Sequence, residues 1–127
     1  MTSDRLLLDT HLLIWWVTGN PIIQPGLRKA IEGATAFLSI VSTWEIAIKI
    51  SVRKLDLPLT FSDLLEHVGF ELLPLRLEHV RDVGGLPMHH RDPFDRMLIA
   101  QARVENLVLV TRDRQFDSYD VRTFWPT

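Results

Sequence analysis

The sequence contains no cysteine, which excludes disulfide staples and thiolate metal sites and makes a reducing compartment the expectation. No apolar run reaches the roughly eighteen residues of a membrane span. The opening residues, MTSDRLLLD, lack the basic segment and long apolar stretch of a secretory signal, so a cytoplasmic protein with no membrane partner is expected. An excess of basic charge is also missing: 14 Lys and Arg stand against 16 Asp and Glu, for a net charge of −2. That disfavours a surface gripping nucleic acid by charge alone, but acids gathered around a cation would lower a nuclease's net charge in the same way. Neither the G-x-x-x-x-G-K-[ST] phosphate loop nor the G-x-S-x-G nucleophile turn occurs. What is present is an ordinary globular composition, 46% hydrophobic and 24% charged over 127 residues. This is the size of a single domain, 1–127, with a real core.

The most informative stretch runs from His89 to Asp113 and reads as one helix–strand unit with acid at both ends. Asp92 before Pro93 is an N-cap followed by proline at the first helical position. Phe94, Met97, Leu98, Ile99, Ala102 and Val104 then give an apolar face, and Asn106 is a candidate left-handed C-cap. Leu107 to Val110 is apolar without alternation, as a strand covered on both faces is. Helix and strand run antiparallel, so Asp92 and Asp95 share an edge with Asp113, the edge where open α/β sheets bind ligands.

The rest of the chain repeats this grammar. Arg5–Asp9 is a short buried strand ending in acid, followed by a helix from Thr10 to Val17 that is apolar nearly all round. A helix over Pro25–Glu32, a strand over Ala34–Ser39 and a helix opening at Ser42 come next. A further helix is expected from Thr60 to Val68, then a strand over Phe70–Leu73, a helix over Leu77–Val83 and a last strand over Val121–Phe124. Strands alternating with helices indicate an α/β fold, a parallel sheet with helices on both faces.

Four acids then fall on one sheet edge. Asp9 and Asp113 close strands, while Glu45 and Asp95 begin helices. Each has a local explanation. Asp9 can cap the first helix, Ser42 with Glu45 and Asp92 with Asp95 have capping-box spacing, and Asp113 can cap the turn after its strand. Jointly these readings weaken, because carboxylates about 4 Å apart repel by roughly 4 kcal/mol at an effective dielectric near 20. Such a cluster calls for a cation, an arginine or captured protons. Oxygen-only ligands suit Mg²⁺ or Mn²⁺. The chemistry served is in-line attack on a phosphodiester, with one ion activating water and a second, about 3.5–4 Å away, steadying the leaving oxygen. Thr10 and Thr111 are supporting hydroxyls, and Asp92 is assigned to its helix cap before metal. Arg91, Arg96, Arg112 and Arg114 lie beside the unit and are candidate phosphate contacts, against the plainer reading of solvated charges. His89 and His90, being adjacent, are assigned to a loop, His11 to a structural role and Asp117 to the surface.

The segments LLLDTHLLIWW, STWEIAIKISVRKLDL and DPFDRMLIAQARVENLVLVTRD, in that order, resemble PIN-domain ribonucleases, and most of all the VapC-type toxins of toxin–antitoxin pairs. The resemblance implies a three-layer α/β/α sandwich whose first strand is central, beside the second and fourth. It implies Mg²⁺- or Mn²⁺-dependent endonucleolytic cleavage of RNA, with the family's acidic quartet falling on Asp9, Glu45, Asp95 and Asp113 and its hydroxyl on Thr111. A small antitoxin partner and a homodimer are implied as well. Surplus apolar surface on Trp44, Ile46, Ile48 and Ile50, and on Trp15 or Trp16, is the expected partner groove.

Other readings fit less well. A two-component receiver needs an acceptor Asp after the third strand, where Leu73-Pro74-Leu75 stands, and a haloacid-dehalogenase phosphatase needs an Asp where His11 is. The rival of a different class is a catalytically inert binding module on the same scaffold, since a fold does not establish a function.

Overall fold

The computed structural model describes residues 4–57, 63 and 68–126. Five parallel strands form one sheet in the order β3-β2-β1-β4-β5, with β1 at Arg5–Leu8, β2 at Thr35–Ser39, β3 at Glu71–Leu73, β4 at Val108–Val110 and β5 at Thr123–Phe124. The first strand is central, paired with the second through Leu7↔Phe37 and with the fourth through Leu8↔Val110.

The uninterrupted apolar runs follow from this placement. Leu7 and Leu109 enter one core with Leu98, Ile99 and Phe116, while Leu6, Leu8 and Val110 enter another with Leu12, Leu27 and Ile31. Leu7, Leu8, Leu98 and Leu109 are fully buried, each contributing about 2 kcal/mol by the usual area relation. Helices α1 (Thr10–Val17) and α2 (Pro25–Glu32) cover one face. Helices α4 (Leu77–Gly84) and α5 (Pro93–Glu105) pack together over the other, giving the three-layer sandwich. Helix α3 (Ile40–Ser51) springs directly from β2 and joins α1 through Ile46 and Leu13.

The ends of α5 follow the sequence closely. Asp92 caps it, its Oδ1 accepting from Phe94 and Asp95 N–H at 2.8 and 3.2 Å, and Asn106 closes it with φ 56° and ψ 51°. The start of α3 does not. The helix begins at Ile40 and its N-cap is Ser39, whose hydroxyl accepts from Val41 N–H at 3.0 Å. Ser42 therefore lies inside the helix. Strand bounds also tighten, to Thr35, Glu71, Val108 and Thr123. The expected Thr60–Val68 helix falls largely outside the described residues.

The two tryptophans of α1 are half-buried against the chain itself. Trp15 meets Trp125 edge-on, while Trp16 meets Phe70 and carries the Arg28 guanidinium 4.1 Å from its ring centre. Ile46 is only 1% exposed and Ile50 packs toward the same interior cluster, so neither lies on an outer groove. The outward stripe of α3 is Ile40, Trp44, Ile48 and Val52, four residues apart as one helical face requires. Among the described residues, no helix is long and apolar enough to cross a membrane.

Candidate active site

The site lies at the carboxyl edge of the central strands. Asp9 follows β1 and Thr111 follows β4, and the Thr111 hydroxyl donates to Asp9 Oδ2 at 2.8 Å while accepting the Asp113 N–H at 3.1 Å. One hydroxyl thus fixes a carboxylate and the backbone of the next acid. Thr10 is buried too, and its hydroxyl pairs with Ser42 at 2.8 Å and ties α1 to α3.

The local explanations for the four acids can now be weighed. Asp9 makes no side-chain cap bond of good geometry, and its Oδ1 is buried without an aligned hydrogen-bond partner, although the His11 main-chain N–H favours its charged form. Glu45 is not part of a capping box, because α3 starts two residues before Ser42; its Oε2 meets Lys49 at 3.1 Å and its Oε1 is buried and unpartnered. For Asp95 the reciprocal half of the box is absent: Asp92 N–H goes to His90 Nδ1 at 3.2 Å. Asp113 does cap its turn, through Oδ1 to Gln115 N–H at 2.9 Å, with Oδ2 turned to the site.

These carboxylates feel one another. Burial pushes the Asp95 carboxyl up to about 8, with Asp9, Asp92, Glu45 and Asp113 all adding repulsion. Burial raises Asp9 as well and Glu45 adds to it, against the pull of the Thr111 hydroxyl and His11. Buried acids without enough donors are stabilised by a cation or by protons.

His90 completes the cluster, and the sequence reading missed it. Its Nε2 lies 3.1 Å from Asp95 Oδ2 and 3.6 Å from Asp113 Oδ2, aligned for a hydrogen bond with neither. One ligand atom from each of the three residues falls within 4.8 Å of the others. The chain bends at Met88 and His89, and His89 is exposed while His90 is buried. Only the loop's path reveals which is which.

Tyr119 and Arg96 hold that path. The Tyr119 hydroxyl accepts the His89 and His90 N–H groups at 3.0 and 2.8 Å and donates to the Pro87 carbonyl. Arg96 donates to the carbonyls of Pro87, Val83 and Leu86, which engages its guanidinium in structure. Arg91, Arg112 and Arg114 remain exposed. Arg112 and Arg114 line a groove of about 520 Å³ that also touches Thr111, Asp113 and Trp125. Asp117 accepts from Thr123 at 3.1 Å at the surface.

The PIN domain family matches residues 6–122. The chain belongs to that family. A relative of this PIN domain is Ribonuclease VapC22 of Mycobacterium tuberculosis, 27% identical over 126 residues, spanning 90% of this chain and 91% of that one. Two solved structures share the fold. VapBC2 of Rickettsia felis bound to a promoter DNA fragment has a TM-score of 0.73 at 15% identity, covering 94% of this chain and 97% of that one. FitAcB of Neisseria gonorrhoeae has a TM-score of 0.67 at 21% identity, covering 94% and 96%.

Proposed function

We propose that this PIN domain is a cytoplasmic, metal-dependent endoribonuclease and the toxin of a toxin–antitoxin pair. The observation that carries the reading is the pair of buried, unpartnered oxygens, Asp9 Oδ1 and Glu45 Oε1, facing acids that repel one another. Buried polar atoms are nearly always satisfied, so orphans concentrated at one sheet edge mark a place for something the polypeptide does not supply. Asp9, Glu45, Asp95 and Asp113 are the residues that would hold Mg²⁺ or Mn²⁺, both of which take carboxylate oxygen and keep water. The chemistry a bound divalent ion supplies is acidification of water and neutralisation of charge on the scissile phosphodiester.

The chain's own part is placement. Thr111 orients Asp9, and the Asp113 turn holds its Oδ2 inward. Arg112 and Arg114 flank the groove that leads to the acids, where an RNA backbone would meet positive charge. The test is cleavage of RNA by the purified chain with Mg²⁺ or Mn²⁺. Cleavage that stops with chelator is expected, and cleavage persisting in chelator overturns the reading.

The antitoxin surface supported best is the outward stripe of α3, with Trp44 60% exposed and Val52 55% exposed. The names of the similar complexes, VapBC2 and FitAcB among them, point to such a partner. A homodimer is part of the same proposal. Trp44→Glu with Ile48→Glu should abolish antitoxin capture while RNA cleavage continues, as read by co-purification and by gel assay.

A further inference from the structure

His90, Asp95 and Asp113 have the spacing to surround an ion, yet the wiring of the imidazole points elsewhere. A histidine that ligates a metal turns its other ring nitrogen, as N–H, toward an acceptor. The other nitrogen of His90 meets a donor, the Asp92 N–H at 3.2 Å. Nδ1 is therefore the lone-pair nitrogen and the ring proton sits on Nε2. The ring is held in that sense. Its main-chain N–H is bound by Tyr119 at 2.8 Å, and its edge packs on Phe116 at 5.7 Å. Rotating the ring would remove the acceptor from a backbone donor at the start of α5. Nε2–H is buried, and it lies 3.1 and 3.6 Å from one oxygen each of Asp95 and Asp113.

We propose that His90 is a positioning residue of the acidic site: its Nε2–H lodges between Asp95 and Asp113, keeps the two carboxylates together and bars a cation from that side. The protein then takes one divalent ion, through carboxylate oxygen alone, on the side of Asp95 and Asp113 turned away from the imidazole. Asp9 Oδ1 and Glu45 Oε1, the two buried oxygens left without partners, are among its ligands. This departs from the two-ion arrangement expected from the sequence. It rests on the metal-dependent reading above.

Mn²⁺ serves as the probe, titrated calorimetrically into the full chain and followed by pulsed electron paramagnetic resonance. Wild type should bind one Mn²⁺ per chain with no imidazole nitrogen coupling. His90→Ala should admit a second ion, and His90→Gln, which restores an N–H donor, should return the count to one. Nitrogen coupling in wild type, or two ions there, overturns the proposal and leaves the metal-dependent reading standing. So does a His90→Ala protein that still binds one ion and differs only in thermal stability. Absence of any Mn²⁺ binding by wild type overturns both together. The wild-type spectrum and count decide the matter even if a variant fails to fold.

Discussion

Two buried histidines of this PIN domain are wired alike at one nitrogen and differently at the other. His79 Nδ1 accepts the Arg76 N–H at 3.0 Å, and its Nε2 then donates to Glu105 at 2.8 Å. Around it, Gln101 accepts from the Ser39 hydroxyl and donates to the Pro74 carbonyl, so the polar interior beneath α4 is closed. His90 Nδ1 likewise accepts a main-chain N–H, but its Nε2 faces two carboxylates with no aligned bond, and two more carboxylate oxygens nearby are orphaned. The three buried side-chain atoms without a hydrogen-bond partner, among the described residues, all sit at this second cluster. The same fold can therefore satisfy a buried network fully. Where it does not, a ligand's place is the physical reading, because an unsatisfied buried group costs about 1–3 kcal/mol and more when charged.

The largest break in this comparison is Asp9→Asn. Removing one charge from the orphaned cluster should lower RNA cleavage at least about 100-fold, by loss of the group nearest the proposed ion. The metal-free protein should at the same time be as stable as wild type or more so, since repulsion with Glu45 is relieved. A loss of activity that merely follows a loss of Tm would make Asp9 a structural acid. The opposite pattern belongs to the closed network. Gln101→Leu strands the Ser39 hydroxyl and the Pro74 carbonyl, and should cost about 3 kcal/mol in denaturant unfolding. Mn²⁺ affinity of the folded fraction should be unchanged.

Why the second cluster was legible and the first was not follows from how each is encoded. Asp9 and Asp113 end apolar runs, and Asp95 follows a proline-marked helix start, so strand ends and helix starts place them on one edge before any coordinates. The central place of β1 was legible for the same reason, since Leu6–Leu8 run apolar without alternation and must be covered on both faces, whereas its neighbours β2 and β4 were implied by the family resemblance. His90 is different. Nothing local distinguishes it from His89, and the choice is made by Tyr119, nearly thirty residues on, grasping both of their N–H groups. The start of α3 was misplaced because Ser39 ends a strand and caps a helix at once, leaving no loop to signal the boundary. The partial covering of Trp15 and Trp16 depends on Trp125 and Phe70, contacts far apart in sequence that periodicity does not encode.

A smaller effect sharpens the electrostatic side of the comparison. Asp95 is raised to about 8 chiefly by burial, so the native protein holds a proton that the unfolded chain releases near the ordinary carboxylate value. The native state binds more protons across that window, and stability must fall as pH rises through it. In chelator, Tm should drop on the order of 10 °C from pH 5.5 to pH 8.5. Asp9, raised as well, acts in the same direction. Asp95→Asn should flatten the slope, and saturating Mn²⁺ should remove it. A metal-free Tm that is level or climbs over this range contradicts the raised carboxyl.

The smallest expected change separates the two parts Asp92 plays. Its carboxylate caps α5, and its main-chain N–H fixes the proton of His90 on Nε2. Asp92→Ala deletes the first and keeps the second. Loss of an N-cap costs about 1 kcal/mol, or about 4 °C in Tm for a chain of this size. Part of that should be returned at high pH, because Asp92 also repels Asp95. Mn²⁺ stoichiometry and affinity should stay as in wild type, since the side chain is turned to the helix backbone. If Asp92→Ala instead loses the ion while Tm barely moves, the carboxylate belongs among the metal ligands and the boundary between cap and site lies one residue group further out.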